Sequence, residues 1–127
     1  MVLDHLILNV NDVAESVRFY TEVLGMSHEA GHEPFTVIRV SPDFLILLGP
    51  WPTEGGEHLA FSMSRAEFED VFRRVQERDI AFGDTFDKIG NMQGPSLESR
   101  DGGARGRAVS LYFYDPNKHV IEIRHYE

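Results

Sequence analysis

The sequence predicts an α+β fold in which two βαβββ modules form a cupped mixed β-sheet with flanking helices. Each half of the chain opens with an alternating strand, continues with a capped helix, and then shows strand segments that are joined by turns. The two opening strands, HLILN and HLAFS, begin at His5 and His58, an offset of 53 residues. The order of strand, helix and three strands therefore occurs twice, as expected for an internal structural repeat.

The first module is predicted to span about residues 1–49. Its opening strand separates two sets of side chains on opposite faces, namely Leu6, Leu8 and Val10 against His5, Ile7 and Asn9. Asn11 or Asp12 caps the following helix, with Glu15 near the capping-box position, and Gly25 ends the helix in a left-handed conformation. Strands are then predicted at residues 26–30, 35–40 and 44–48.

The second module is predicted to span residues 58–127, after a linker of prolines and glycines at residues 50–57. Ser64 caps its helix, with Glu67 at the capping-box position. Strands are predicted at residues 80–86, 108–114 and 119–126. Residues 87–107 are rich in glycine and poor in apolar side chains, so we predict a long loop there, either a lid or a binding loop.

Length and composition exclude several classes of protein. A chain of 127 residues is expected to form a single domain, residues 1–127, and the lack of cysteine excludes thiolate catalysis. A net charge of −9 without a cluster of Lys and Arg disfavours binding to nucleic acid. No apolar run is long enough to span a bilayer, and the N-terminus has no basic region typical of a signal peptide. We therefore expect a cytoplasmic protein with neither a nucleic-acid nor a membrane partner.

Three side chains form a candidate metal site. His5 and His58 occupy equivalent points of the two modules, and a pseudo-twofold relation between these strands would bring both imidazoles to its axis. Glu122 lies inside a strongly β-forming segment, where a carboxylate needs a partner. Two histidines and one carboxylate are the ligands of a facial site that suits Fe(II), Mn(II), Ni(II) or Zn(II) and leaves positions open for a substrate.

The stretches LDHLILNVNDVAESVRFYTEVLGM, EHLAFSM and SLYFYDPNKHVIEIRHYE resemble the vicinal oxygen chelate superfamily. That superfamily includes glyoxalase I, fosfomycin-resistance thiol transferases, extradiol dioxygenases and bleomycin-resistance proteins. The resemblance covers nearly the whole chain apart from the glycine-rich loop. It implies that His5, His58 and Glu122 are metal ligands.

The chain also departs from individual members of that superfamily. Leu47 falls where glyoxalase I has a fourth, carboxylate ligand, and Ile7 falls where the thiol transferases have a threonine. Tyr112 stands ten residues before Glu122, as in the extradiol dioxygenases, but the loop before it lacks their proton-donating histidine. The resemblance therefore leaves the reaction open between that of a lyase, a transferase and a dioxygenase.

The resemblance predicts a metal-dependent enzyme that acts on a small oxygen-rich metabolite or antibiotic, which chelates the ion. Glu122 and Tyr112 are the expected catalytic residues, and further contacts to the substrate are expected from Asn9, Ser110, Arg105, Arg107, Arg124 and Tyr126. The alternative is a metal-free drug-binding protein of the bleomycin-resistance type. We also expect a homodimer whose sites take His5 from one chain and His58 with Glu122 from the other.

Overall fold

The computed structural model describes residues 1–99 and 102–126. Residues 100 and 101 of the predicted loop, and residue 127, lie outside the described part of the chain. The chain divides into two compact units, Met1–Glu54 and Gly55–Glu127, and the division falls inside the segment predicted as a linker. Among the described residues, no helix has the length and apolar character needed to cross a membrane.

The first unit contains one helical segment and four strands. They are β1 (His5–Asn9), α1 (Val13–Arg18) with a π-helical turn at Phe19–Val23, β2 (Ser27–Glu29), β3 (Thr36–Ser41) and β4 (Phe44–Gly49). Asp12 is the helix cap, because its Oδ1 accepts a hydrogen bond from the backbone N–H of Glu15 at 3.0 Å. The helical segment ends at Gly25, whose φ of 77° suits a residue without a side chain.

The four strands of the first unit form a mixed sheet in the order β1-β4-β3-β2, with β1 parallel to β4 and the other pairs antiparallel. The register pairs His5 with Leu45 and Ile7 with Leu47, which places these side chains on one face of the sheet. Leu8 is buried on the other face, whereas His5 and Ile7 are exposed. The predicted division of β1 into two faces is thus observed.

The second unit contains one helix and five strands. They are β5 (His58–Ser62), α2 (Arg65–Glu77), β6 (Phe82–Gly83), β7 (Ser96–Leu97), β8 (Val109–Tyr114) and β9 (Val120–His125). Ser64 and Glu67 form a reciprocal cap, because the Ser64 hydroxyl accepts from the Glu67 N–H and donates to its carboxylate, both at 3.1 Å. This capping box was predicted from the sequence.

The sheet of the second unit is also mixed, in the order β5-β9-β8-β6, with β7 pairing beside β6 along the same strand β8. One face packs on α2 and forms the core, with fully or almost fully buried side chains at Phe68, Val71, Val75, Leu111, Phe113, Ile121 and Ile123. Burying each large apolar side chain stabilises the fold by about 1.5–3 kcal/mol. The opposite face carries the polar side chains of the candidate site. These two mixed sheets with their helices confirm the predicted α+β class.

The segment between α2 and β8 differs from the sequence prediction in two ways. The strand predicted at residues 80–86 is only the two-residue β6, because the chain turns back so closely that a side chain at Gly83 would collide with the carbonyl of Lys88. The loop predicted at residues 87–107 contains β7, which pairs Ser96 with Ser110. This segment therefore lies against the sheet rather than forming loop throughout.

Candidate metal centre

His58 and Glu122 lie on neighbouring parallel strands. The register pairs His58 with Val120 and Ala60 with Glu122, so the histidine and the glutamate are diagonal neighbours on one face of the sheet. Their Nε2 and Oε1 atoms are 3.0 Å apart. The glutamate side chain is buried and the histidine side chain is 40% exposed, so this pair has an open side.

The second oxygen of Glu122 is held by two neighbours on the same face. Its Oε2 lies 3.2 Å from the hydroxyl of Ser110 and 2.5 Å from Nη1 of Arg124. These contacts fix the carboxylate so that Oε1 remains the atom that faces His58. Hydrogen-bonded partners of this kind orient ligand side chains in metal sites.

Tyr112 lies beside His58 on the same face of the sheet. It pairs with Glu122 across β8 and β9, and its ring meets the imidazole of His58 edge-on with centroids 6.0 Å apart. Burial, followed by the negative charges of Glu122 and Glu98, raises the pKa of the Tyr112 phenol well above its ordinary value. The phenol is therefore a hydrogen-bond donor throughout the neutral pH range.

Glu98, a residue that the sequence analysis did not select, is the second carboxylate of this cluster. It receives hydrogen bonds from Arg124 through Nη1 at 2.8 Å and Nη2 at 3.2 Å, and its Oε1 lies 3.1 Å from the Ser110 hydroxyl and 3.5 Å from that of Tyr112. Burial works to raise the pKa of the Glu98 carboxyl, but the hydrogen bond from Ser110 and the charge of Arg124 outweigh it, so this pKa lies below its usual value.

Glu98 and Tyr112 also line a cleft of about 610 Å³. Phe86, Lys88 and Leu97 are among its other lining residues, and the Phe86 ring lies 6.0 Å from the imidazole of His58. The cleft thus begins beside the proposed ligand His58 and has both apolar and polar walls. The alternation of polar and apolar residues in Ser96-Leu97-Glu98 is typical of a strand and could have indicated Glu98. The glycines around this short run favoured the prediction of a loop instead.

The three remaining candidates of the second unit lie beside this cluster. The guanidinium of Arg105 stacks 4.2 Å from the centre of the Tyr126 ring, and Arg107 donates from Nε to the backbone carbonyl of Glu98 at 2.6 Å. Arg124 lies 5.2 Å from the same Tyr126 ring. A side chain at Gly103 would collide with Arg124 and Tyr126, which shows how closely the backbone approaches them here.

The first unit contributes the other candidate residues. His5 is exposed on β1, and its Nδ1 lies 2.7 Å from a carboxylate oxygen of Asp4. Asn9 lies on the same face of that strand. Leu47 is on this face as well, where its side chain lines a separate cavity of about 450 Å³ together with Leu45 and Val37.

Two further histidines have other surroundings. His119 is buried after the turn at residues 115–118, and its Nδ1 accepts a hydrogen bond from the N–H of Glu57 at 3.3 Å. His125 lies on the face opposite Glu122, where its ring meets Phe68 of α2 with centroids 4.8 Å apart. Both are thus held by packing or hydrogen bonds away from the candidate ligands.

The donor atoms of His58 and Glu122 fit a shared ion. Two ligand atoms that each lie about 2.1 Å from one ion, at a right angle, are about 3.0 Å apart. The observed separation of Nε2 and Oε1 is that of a hydrogen bond in this structure, and it is also compatible with this value. Among residues 1–99 and 102–126, no group of three or more His, Asp or Glu side chains is arranged to hold a metal ion. The second unit therefore brings together two of the three predicted ligands.

The chain is similar to proteins that carry the same fold. The virulence protein STM3117 of Salmonella typhimurium is 28% identical over 134 aligned positions, which cover 98% of this chain and 83% of that protein. Its crystal structure superposes with a TM-score of 0.77, covering 100% of this chain and 98% of that one. The metallothiol transferase FosB of Staphylococcus haemolyticus is 24% identical, covering 95% of this chain and 81% of the relative.

A third similar protein is a solved oxidase, ChaP-H1. It is 28% identical, superposes with a TM-score of 0.76, and covers 98% of this chain and 95% of its own. A family model, described as the Glyoxalase/Bleomycin resistance protein/Dioxygenase superfamily, matches residues 2–123. This match spans nearly the whole sequence, as the resemblance of the sequence motifs implied. The chain belongs to the Glyoxalase/Bleomycin resistance protein/Dioxygenase superfamily.

Proposed function

We propose that this protein is a metal-dependent enzyme acting on a small oxygen-rich molecule that chelates the ion, with His5, His58 and Glu122 as the metal ligands. The observation that carries the proposal is the convergence of His58 Nε2 and Glu122 Oε1 at 3.0 Å on an open face of the sheet. The contacts of Ser110 and Arg124 to the other oxygen of Glu122 support it, because they leave Oε1 for an ion. The metal is Fe(II), Mn(II), Ni(II) or Zn(II).

A divalent ion held by His5, His58 and Glu122 would supply a Lewis acid for negative charge on a substrate oxygen. Tyr112 holds its proton at neutral pH, since burial and the neighbouring carboxylates raise its pKa, and it donates a hydrogen bond to an oxygen beside His58. The cleft beside Tyr112 receives the part of the substrate that does not chelate, between Phe86 and Leu97.

Charged and polar side chains of the second unit provide the remaining contacts to the substrate. Ser110 and Arg124 lie directly against Glu122, while Arg105 and Tyr126 stack beside Arg124. Arg107, which is exposed, supplies a further cationic donor to an anionic group. Asn9 is proposed as the contact that comes from the first unit, on the face of His5.

The reaction class is that of a transferase, a lyase or a dioxygenase. The name of one similar protein, a metallothiol transferase, favours the first class, and that of another, an oxidase, favours an oxidative reaction. These reactions share a substrate oxygen that becomes more negative during the chemistry. The cluster of Tyr112, Arg124 and a bound cation stabilises such a charge.

The third ligand, His5, is proposed to come from a partner chain in a homodimer. It lies in the first unit, whereas His58 and Glu122 both lie in the second. In the proposed dimer each of two equivalent sites combines one first unit with the second unit of the other chain.

The experiment that tests the proposed function is metal analysis of protein purified without chelator, followed by removal and readdition of the metal. We expect one ion per chain after addition of Mn(II), Ni(II), Fe(II) or Zn(II). Turnover of a catechol with oxygen, or of an epoxide with a thiol, is then expected only for the metal-loaded protein. Metal that stays far below one ion per chain after addition of all four ions would contradict the proposal and favour the metal-free drug-binding alternative.

A further inference from the structure

We propose that Glu98 is a positioning residue of the metal centre, which acts by holding Arg124 and so leaves Glu122 able to bind a cation. The inference rests on the proposed function, because it assigns the role of a neighbour to the proposed ligand Glu122. Glu98 lies outside the motifs that indicate the family, on the glycine-rich segment that the sequence predicted to be loop.

The contacts between Glu98 and Arg124 form a fork. Nη1 of Arg124 donates to Oε1 of Glu98 at 2.8 Å and Nη2 donates to Oε2 at 3.2 Å, which is the two-point geometry of the strongest Arg–carboxylate pairs. The guanidinium reaches Glu122 only through Nη1, at 2.5 Å to Oε2. Glu98 therefore fixes the orientation in which Arg124 can contact Glu122.

The charges of Glu98, Arg124 and Glu122 also indicate that Glu98 leaves Glu122 able to bind a cation. The side chain of Arg124 is buried and that of Glu98 is largely buried, with 5% and 13% exposed, so each needs a partner of opposite charge. One guanidinium can balance one carboxylate, and the two-point contact assigns that role to Glu98, which leaves the carboxylate of Glu122 to attract a cation. Without Glu98, the guanidinium would neutralise Glu122 and could turn to bind both of its oxygens.

The backbone holds Glu98 in place for this role. Its N–H donates to the carbonyl of Ala108 at 2.9 Å, and its own carbonyl accepts from Arg107 at 2.6 Å. Arg124 is in turn fixed to the same segment, because Nη2 donates to the carbonyl of Gly106 at 2.9 Å. The segment after β7 thus brings the carboxylate to Arg124 from the edge of the sheet.

The first test is the affinity of the full-length protein for Mn(II), measured by calorimetric titration after removal of bound metal. Replacing an outer-shell partner of a metal ligand weakens binding by about 10- to 100-fold, and we expect at least tenfold for Glu98→Gln. Replacing Arg124 as well, in the variant Glu98→Gln/Arg124→Gln, recovers part of the affinity that Glu98→Gln loses, because the unbalanced guanidinium is gone even though Glu122 then lacks its contact to Arg124.

Glu69→Gln is the matched control, since it makes the same replacement at an exposed glutamate of α2 that also bonds to an arginine, Arg65. We expect its affinity for Mn(II) to stay near that of the wild type. Unchanged affinity in folded Glu98→Gln would overturn the inference, as would an equal loss in Glu69→Gln or a double variant that recovers nothing.

A metal-free measurement separates this inference from the proposed function. If Glu98 and Glu122 share Arg124, each single variant, Glu98→Gln or Glu122→Gln, leaves the guanidinium one carboxylate. The combined variant leaves the buried guanidinium without either carboxylate. We therefore expect it to lower the thermal unfolding midpoint by more than the sum of the two single decreases. In an Arg124→Gln background this excess disappears. Wild-type protein that binds no Mn(II) would contradict the proposed function, and the unfolding midpoints would still decide the role of Glu98. If the decreases in unfolding midpoint are simply additive while Arg124 is present, the inference about Glu98 is overturned.

Discussion

Nε2 of His58 lies 3.0 Å from Oε1 of Glu122, although 64 positions separate the two residues in the sequence. The contact follows from the parallel pairing of β5 and β9, which places both side chains on the polar face of one sheet. Because Ser110 and Arg124 bind the other oxygen of Glu122, this pair has a defined geometry before any ion is added. The first prediction concerns this pair.

We expect replacement of a proposed ligand to remove metal affinity without unfolding the protein. We expect His5→Ala, His58→Ala and Glu122→Ala each to weaken binding of Mn(II) by at least about 100-fold, since the loss of outer-shell partners alone costs about 10- to 100-fold. Metal content and calorimetric titration measure this effect, and circular dichroism checks the fold.

The control for these variants is His28→Ala, since His28 is an exposed histidine on the short strand β2. Its affinity for metal should equal that of the wild type. Neutral results for any two of the three proposed ligands would refute the assignment of the site.

We expect Tyr112 to contribute to the stability of the protein at alkaline pH. Its pKa in the folded state is raised above the ordinary value of 10.0, chiefly by burial, so the folded state keeps a proton that the unfolded chain releases. This contribution to stability is complete below pH 10 and is lost as the pH rises towards the folded pKa. We expect wild-type protein to lose stability more steeply than Tyr112→Phe between about pH 9 and pH 11 in urea unfolding. Parallel curves would show that Tyr112 ionises like an unfolded tyrosine.

Patterns of local sequence were sufficient to predict most elements of the fold. The cap at Ser64 was predicted, and Asp12 was one of two predicted caps with Asn11, because a capping side chain and its partner are three residues apart. The two faces of β1 were predicted because strand alternation has a period of two. Short-range rules of this kind need no knowledge of the partner strands.

The failures concern contacts that depend on distant parts of the chain. β7 has only two residues, and it exists because β8 offers an edge to Ser96 and Leu97. Glu98 enters the site through that pairing, and nothing close to it in the sequence indicates Arg124 as its partner. Arg124, by contrast, was expected on the face of Glu122, because alternation along the strand is sufficient to place it there.

Leu47 marks a place where an added carboxylate should bind the ion. The variant Leu47→Glu is expected to tighten metal binding, since additional ligands raise affinity where the geometry permits. Leu47 pairs with Ile7 of β1, and Leu45 pairs with His5. The side chains of Leu47 and Leu45 therefore lie on the same face of the sheet as the side chain of His5. Calorimetric titration with Mn(II) measures the gain, and Leu47→Gln controls for polarity without charge. Equal affinities for the two variants would mean that position 47 does not face the ion.

In the proposed homodimer, each site takes His5 from one chain and His58 with Glu122 from the other. Dimers that mix two variant chains test this arrangement. When His5→Ala and His58→Ala chains are unfolded together and refolded, a mixed dimer has one site with an intact His5, His58 and Glu122. Such dimers should regain about half of the metal of the wild type, because one of two equivalent sites is complete. Dimers shown by mass spectrometry to be mixed, yet still without metal, would indicate that each site is built from a single chain.

Anomalous diffraction from crystals grown with Mn(II) tests most directly whether His58 and Glu122 bind one metal ion. We predict one strong anomalous peak per chain, about 2.0–2.2 Å from Nε2 of His58 and from Oε1 of Glu122, as expected for ligand distances to such ions. The same map would identify the chain that supplies His5. Mn(II) bound only at other residues, with Nε2 and Oε1 still in direct contact, would contradict the account.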